Sequence, residues 1–116
     1  APILWDEDRK VDIARIANAT AKLLECDLEL SPSDILSSDE YIGDRYGVLT
    51  QEGRDALKLV AETEGIFLDP VYTSKAMAGM IDQIRKLIIT KNETVVFIHT
   101  GGLPALFAYA EDLMLS

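Results

Sequence analysis

Length, composition and charge restrict the class of protein to which this chain belongs. Its 116 residues are 48% apolar and 27% charged, as in a soluble globular domain, and they suffice for one domain. The net charge of −9 argues against nucleic acid and against an anionic membrane as partners, because binding either would need clustered Lys and Arg. No apolar run reaches the roughly 18 residues of a membrane span. Cys26 is the single cysteine and no signal-peptide pattern occurs, so a reducing, cytoplasmic location is expected.

The N-terminal part of the chain predicts one amphipathic helix between two short strands. Residues 3–5 (Ile-Leu-Trp) resemble the end of a strand, and residues 27–30 predict a short strand. Between them, residues 9–25 place apolar side chains at helical spacing. These side chains share one helix face: Ile13, Ile16, Ala17, Thr20, Leu23 and Leu24.

A long irregular segment and a second helix follow. Residues 34–46 are rich in Ser, Asp and Gly, and irregular segments of this length in compact domains are often functional. Thr50 is a suitable N-cap for a helix that runs through Glu64, and Gly65 is a suitable C-terminal stop.

The third predicted helix is reached through a buried connection. Residues 66–71 are apolar apart from one Asp, but Pro70 argues against a central strand. Thr73 or Ser74 is expected to cap the helix that follows. Its apolar side carries Ala76, Met77, Met80, Ile81, Ile84, Leu87 and Ile88.

The C-terminal part predicts a buried strand, a glycine turn and a helix. Residues 95–98 form an unbroken apolar, largely β-branched run, which is typical of a parallel strand covered on both faces. Residues 99–102 (His-Thr-Gly-Gly) end it, and Pro104 suits the first turn of a helix over residues 105–113. Open α/β sheets bind ligands at such a junction. So few strands indicate part of an α/β domain.

Simple catalytic and metal sites find little support in the composition. One His and one Cys cannot form a metal cluster. His99 is a candidate base, but a hydrogen-bonded core histidine is the commoner case at a strand end. Lys75 could form a Schiff base, although a solvated lysine is more common at the start of a helix.

Several segments together resemble one enzyme family. Residues 46–53, 64–79 and 96–109 are similar to the C-terminal part of D-cysteine desulfhydrase and of its sister, 1-aminocyclopropane-1-carboxylate (ACC) deaminase. The most specific stretches are Asp-Pro-Val-Tyr-Thr-Ser-Lys-Ala-Met-Ala-Gly and His-Thr-Gly-Gly-Leu-Pro-Ala-Leu-Phe-Ala-Tyr. The resemblance implies an α/β fold of the tryptophan synthase β type, with parallel strands flanked by helices. All 116 residues would then form a C-terminal fragment of the large cofactor-binding domain, without an internal boundary.

The resemblance also assigns roles to individual residues. Both tyrosines are assigned as catalytic. Tyr46 resembles the tyrosine that lines the substrate side of pyridoxal 5'-phosphate, and Tyr72 resembles the tyrosine beside the cofactor ring that takes part in substrate binding and proton transfer. Thr73 and Thr100 stand where the deaminase carries Glu and Leu beside the pyridine nitrogen, and hydroxyl residues fit the desulfhydrase pattern. With the glycine turn of residues 101–102 (Gly101 and Gly102), these threonines are assigned to cofactor binding.

The implied function is that of a pyridoxal-phosphate-dependent lyase converting D-cysteine to pyruvate, hydrogen sulfide and ammonia. The alternatives are ACC deaminase, another β-eliminating lyase of the family, or a truncated non-catalytic homologue. The family's Schiff-base lysine and phosphate loop lie N-terminal to anything found here, so this chain alone is expected to be inactive. The implied partners are a small amino-acid substrate, an N-terminal portion of the enzyme and, when complete, a second copy in a homodimer.

Overall fold

The computed structural model describes residues 9–114 as two compact units, residues 9–39 and 40–114. The strand end predicted over residues 3–5 lies outside the described residues. In the part that is described, the regular elements are helices and no strand occurs. These elements are α1 (Arg9–Leu23), a short 3-10 helix (Pro32–Asp34), α2 (Gln51–Glu64), α3 (Thr73–Arg85), α4 (Ala105–Ala108) and α5 (Ala110–Met114).

The first unit consists of α1 and the segment that follows it. The predicted helix is confirmed, although it ends at Leu23 and Glu25 already has a left-handed φ of 55°. Ala14 and Ala21 are its buried side chains, whereas the larger apolar side chains of the predicted face, such as Ile16, are exposed. That face therefore has no cover within the unit.

The short strand predicted over residues 27–30 does not form. The side-chain amide of Asn18 donates to the carbonyl oxygen of Leu30 at 2.8 Å and accepts from its N–H at 2.8 Å. Because both backbone groups of Leu30 are bound by this side chain, they are not available to a neighbouring strand.

The second unit is organised around the packing of α2 on α3. The predicted cap of α2 is confirmed: the hydroxyl of Thr50 accepts from the N–H of Gly53 at 3.0 Å, and Gly65 ends the helix at a φ of 66°. Six buried side chains form the core, namely Ala56, Leu57, Val60, Leu68, Met77 and Ala78. Phe97 and Leu106 pack at its margin.

The start of α3 differs from the prediction. Neither Thr73 nor Ser74 caps the helix, because the free N–H groups of residues 71–73 are bound by the carboxylate of Asp69. The connection over residues 66–71 is also buried only in part: Leu68, Asp69 and Pro70 are buried, but the two preceding side chains are exposed. The turn at Asp69, rather than a cap inside the helix, thus fixes where α3 begins.

The C-terminal segment lacks the predicted strand. Among the described residues, none pairs with residues 95–98, and Val95, Val96 and Ile98 are exposed while Phe97 turns toward the core. A strand requires hydrogen bonds to a neighbour, so an apolar run without one is not a strand. The helix predicted over residues 105–113 forms as two short helices, α4 and α5, separated at Tyr109. Parallel strands therefore stay a prediction for this fold.

No helix within residues 9–114 is long and apolar enough to cross a membrane.

Candidate active site

Two of the predicted catalytic residues lie together. The hydroxyl oxygens of Tyr46 and Tyr72 are 2.5 Å apart, and their rings are tilted by 60° with centroids 5.9 Å apart. Tyr46 is 66% exposed and Tyr72 57% exposed, so the pair faces outward from the second unit. The residues are 26 positions apart in the chain, and a segment without regular structure brings the first to the start of α3.

The electrostatics of this pair favour the protonated form of Tyr72. Its hydrogen bond with Tyr46 raises the pKa of Tyr72, and partial burial and the nearby charge of Asp69 act in the same direction. Tyr72 therefore keeps its proton at neutral pH. A phenol in this state can donate a proton to a group that gains negative charge.

Asp69 is the buried residue that binds the backbone of Tyr72, and it is 1% exposed. One carboxylate oxygen accepts from the N–H groups of Val71 and Tyr72, both at 2.8 Å, and the other accepts from the N–H of Thr73 at 2.7 Å. Burial raises the pKa of Asp69, but these hydrogen bonds and that of the Thr73 hydroxyl outweigh it, so the pKa is lowered. Asp69 is therefore a buried anion that holds the turn carrying Tyr72.

Thr73 is turned inward, unlike its neighbour Tyr72. It is 2% exposed, and its hydroxyl donates to the carboxylate of Asp69 and accepts from the N–H of Asp69, each at 2.7 Å. A hydroxyl has one proton to donate and two lone pairs. In this arrangement the oxygen of Thr73 can still accept one hydrogen bond, but it has no proton left for a ligand.

The glycine turn lies against the same carboxylate. A Cβ atom added to Gly102 would be 2.8 Å from both Cβ and Cγ of Asp69, so glycine is needed for this approach. Gly101 and Gly102 have φ of 91° and 89°, in the left-handed region. Thr100 precedes them on the exposed surface and makes no hydrogen bond to Thr73 in the described chain. The structure thus joins Thr73 to Gly102 through Asp69.

His99 is bound through both ring nitrogens to main-chain groups. Its Nδ1 accepts from the N–H of Gly101 at 3.0 Å, so Nε2 carries the proton and donates to the carbonyl oxygen of Phe67 at 2.9 Å. The expectation of a hydrogen-bonded histidine is confirmed, but His99 is exposed rather than in the core. Because Gly101 gives its N–H to His99, that group is not available to a phosphate.

The environment of Lys75 differs from the solvated one that the sequence predicted. Lys75 is not solvated at the start of α3 but 8% exposed, and its Nζ donates to the carbonyl oxygen of Ile42 at 2.6 Å. Burial lowers the pKa of this ammonium group. Sequence reasoning missed this because the carbonyl oxygen comes from a residue 33 positions away.

Asp69 and Tyr109 are two residues whose part in the site the sequence did not reveal. Asp69 could have been found from its residue type, since Asp before a helix is a common acceptor for free N–H groups. The hydroxyl of Tyr109 donates to the carbonyl oxygen of Gly47, directly after Tyr46. Nothing local in the sequence indicates that contact.

Two clefts of the second unit lie away from the tyrosine pair and the Asp69 turn. One, of about 380 Å³, lies between α2, α3 and residues 40–43. The other, of about 440 Å³, is lined mainly by apolar side chains, among them Met77 and Phe97. Neither is lined by Tyr46, Tyr72, Thr73 or Thr100. The two tyrosines and Thr100 are exposed, whereas Thr73 is buried. Within residues 9–114, no three His, Cys or carboxylate side chains are grouped as metal ligands.

Comparison with known proteins identifies the family. Residues 4–101 match the model of the pyridoxal-phosphate-dependent enzyme family. A solved structure described as an ACC deaminase homologue is similar, with a TM-score of 0.69 and 35% sequence identity. The match covers 89% of this chain and 30% of that one, so the chain spans less than a third of its structural neighbour. The fold class is thus that of the tryptophan synthase β type. The chain belongs to the pyridoxal-phosphate-dependent enzymes, and within them the resemblance to the ACC deaminase and D-cysteine desulfhydrase family is confirmed.

Proposed function

We propose that this chain is the C-terminal portion of a pyridoxal-phosphate-dependent lyase that acts on D-cysteine. The reaction consumes D-cysteine and water and forms pyruvate, hydrogen sulfide and ammonia. The observation that carries the proposal is the hydrogen-bonded pair of Tyr46 and Tyr72 beside the Asp69–Thr73 turn. This pair supplies a protonated phenol next to residues that can receive the cofactor ring.

The cofactor, when bound, supplies an electron sink for the charge left on the substrate Cα after its proton is removed. The residues present fit its pyridine edge. Thr73 keeps one free lone pair beside the buried Asp69 carboxylate, and the absence of a Cβ atom at Gly102 lets the glycine turn lie against that carboxylate. Thr100 is exposed on the glycine turn, and its hydroxyl can donate or accept.

Tyr72 is the proposed proton donor in the elimination. The bond between Cβ and sulfur breaks, the sulfur leaves with the electron pair, and the phenol proton of Tyr72 converts it to hydrogen sulfide. Tyr46 holds the Tyr72 hydroxyl in place through their 2.5 Å contact and lines the substrate side. Tyr72 carries this proton at neutral pH, as an ordinary tyrosine does, and its raised pKa acts in the same direction.

The choice of substrate rests on Thr73 and Thr100. The deaminase pattern has a carboxylate and an apolar side chain at these places, which would supply a stronger electron sink for opening a cyclopropane ring. Thr73 is uncharged, and with its proton given to Asp69 it can only accept a hydrogen bond from a protonated ring nitrogen, which it stabilises less than a carboxylate would. A thiol is a good leaving group and needs less activation. Elimination of sulfide is therefore the proposed reaction.

The experiment assays the complete enzyme with D-cysteine and with 1-aminocyclopropane-1-carboxylate. The wild type is expected to release sulfide and to open the cyclopropane poorly. The double variant Thr73→Glu with Thr100→Leu should lose desulfhydrase activity and gain relative activity on the cyclopropane. A wild type that prefers the cyclopropane would instead support the second candidate, an ACC deaminase, which the 35% identity to an ACC deaminase homologue favours.

We further propose that this chain needs an N-terminal portion for activity, that the complete enzyme is a cytoplasmic homodimer, and that these 116 residues are one part of its large domain. Borohydride reduction of the isolated chain with pyridoxal phosphate, followed by mass spectrometry, tests the first point. No specific adduct is expected at Lys75, whose Nζ is bound to Ile42. A specific adduct there would mean that the chain carries its own Schiff-base lysine.

A further inference from the structure

The segment that carries Tyr46 has no helix or strand of its own. Residues 40–49 contain turns and bends, and Tyr46 near their end is two-thirds exposed. Such a segment does not hold a side chain within hydrogen-bond distance of Tyr72 unless other groups fix its path. The contacts that fix it therefore decide whether the tyrosine pair forms.

The first contact comes from Lys75. Its side chain is buried, and its Nζ donates to the carbonyl oxygen of Ile42 at 2.6 Å. A Cβ atom added to Gly43 would lie 3.6 Å from the same Nζ, so the segment passes closely over the ammonium group. Burial of an ammonium group is unfavourable and lowers the pKa of Lys75. The contact with Ile42 is one that an apolar side chain could not make.

The second contact comes from Tyr41. Its ring lies on the backbone of Gly79, where an added Cβ atom would be 2.9 Å from Cδ2 of the ring. Its hydroxyl donates to the carboxylate of Asp82 at 2.6 Å, and Lys86 binds the same oxygen at 2.7 Å. The hydrogen bond to Asp82 raises the pKa of Tyr41.

The three residues of α3 share one face of the helix. Lys75, Gly79 and Asp82 follow each other at i, i+4 and i+7, and so form a row along successive turns. Tyr72 directly precedes this helix. The same helix therefore holds both tyrosines. Tyr72 is held through the chain, because it directly precedes α3, and Tyr46 is held through the side-chain contacts between α3 and the segment that carries it.

We propose that Lys75, Gly79 and Asp82 form a positioning face on α3 that fixes residues 40–47 and thereby sets Tyr46 against Tyr72. Lys75 is the main positioning residue of this face, because its bond to Ile42 is the contact with α3 that lies nearest to Tyr46 in the chain. The far end of the segment is held separately by the hydroxyl of Tyr109, which donates to Gly47. The consequence for catalysis rests on the proposed function, whereas the consequence for the tyrosine pair does not.

Lys75→Met in the complete protein with its cofactor bound tests the proposal. Tyrosines labelled at Cζ are titrated by NMR, with Tyr72→Phe and Tyr41→Phe assigning their signals. In the wild type Tyr72 should titrate above the ordinary value of about 10. In Lys75→Met its pKa should fall toward that value, because Tyr46 is no longer held beside it. The matched control is Lys58→Met, an exposed lysine on α2, which should change neither titration.

The same variants give a kinetic result. Lys75→Met should lower kcat/KM for sulfide release on the order of 10–100-fold, as expected when a catalytic group is displaced by about 1 Å. Lys58→Met should keep the wild-type value. If Lys75→Met lowers the melting temperature but leaves the Tyr72 titration unchanged, Lys75 serves stability alone and the proposal is overturned. If the wild type releases no sulfide, the proposed function fails, and the titration still decides the positioning role.

A second variant covers the case in which Lys75→Met does not fold. Gly79→Ala favours the helix, since alanine has a higher helix propensity than glycine, yet its Cβ atom forces the Tyr41 ring away. The pKa of Tyr41 should fall toward its ordinary value because the bond to Asp82 is lost, and that of Tyr72 should fall with it. A Tyr72 titration that is unchanged while Tyr41 is released would show that this face does not position Tyr46.

Discussion

Tyr72 and Thr73 are neighbours in the chain but belong to opposite environments. Tyr72 is exposed and binds another exposed side chain, whereas Thr73 is buried and its hydroxyl both donates to and accepts from Asp69. The backbone N–H groups of both residues bind the same carboxylate. A rigid, fully hydrogen-bonded turn therefore presents a reactive phenol on its outer side. Changes on the two sides of this turn should separate activity from stability.

The largest effect is expected on the outer side. Tyr72→Phe removes the hydroxyl but keeps the ring, so in the complete enzyme turnover should fall by about 10²–10⁴-fold, the usual contribution of a general acid or base. Cofactor absorbance and melting temperature should stay close to those of the wild type, because the backbone contacts with Asp69 remain. Near-wild-type turnover in this variant would mean that Tyr72 lines the site but does not transfer a proton.

A change on the inner side of the turn should lower the stability of the folded chain. Asp69→Ala leaves three backbone N–H groups and the Thr73 hydroxyl without their acceptor. Loss of such buried partners should lower the free energy of unfolding by about 3 kcal/mol, measured by urea denaturation. An exposed carboxylate provides the control: Glu93→Ala, at a surface turn where Glu93 accepts from the N–H and hydroxyl of Thr90, should change the free energy of unfolding far less. Similar losses in both variants would mean that burial at Asp69 adds nothing.

The charge of Asp69 should also appear as a pH dependence of stability. Its pKa is lowered in the folded chain, so its contribution is fully present above the unfolded value of about 3.9 and is lost as the pH falls through the lower folded value. Asp69→Asn should remove this part of the acid transition. Melting temperatures of wild type and variant between pH 2 and pH 7 should therefore converge toward the acid end. Parallel curves over that range would contradict a lowered pKa.

The features that the sequence predicted correctly depend on residues close together in the chain. Thr50 and Gly65 mark the ends of α2 through contacts within one helical turn, and the Tyr-Thr motif located the turn before α3. Lys75 was expected to be solvated because its burial depends on Ile42, which is distant in sequence. Asp69 looked like an interruption of an apolar connection, since the four hydrogen bonds to its carboxylate exist only after the turn has formed.

The strand predicted over residues 95–98 is a second feature that depends on residues distant in the sequence. Its apolar, β-branched composition indicates a strand, but strand formation depends on a neighbouring segment and not on composition alone. Among residues 9–114 no such neighbour pairs with it, and Val96 and Ile98 face outward. The glycine turn that follows nevertheless reaches Asp69, because the left-handed φ of Gly102 is a local property that glycine permits.

The smallest effect is expected at a site that belongs to neither side of the turn. Thr50→Ala removes the side-chain oxygen that accepts from the N–H of Gly53 at 3.0 Å, and loss of such a cap typically lowers the free energy of unfolding by about 1 kcal/mol. Its methyl carbon also lies where a Cβ atom on Gly43 would approach to 2.5 Å, so the change removes a contact with the segment that carries Tyr46. Urea denaturation measures the first effect and the Tyr72 titration the second. Thr50→Ser keeps the hydroxyl and removes only the methyl group, so it should keep the cap. If Thr50→Ser shifts the Tyr72 titration as much as Lys75→Met does, the segment is held mainly by α2, and the role assigned to α3 is wrong.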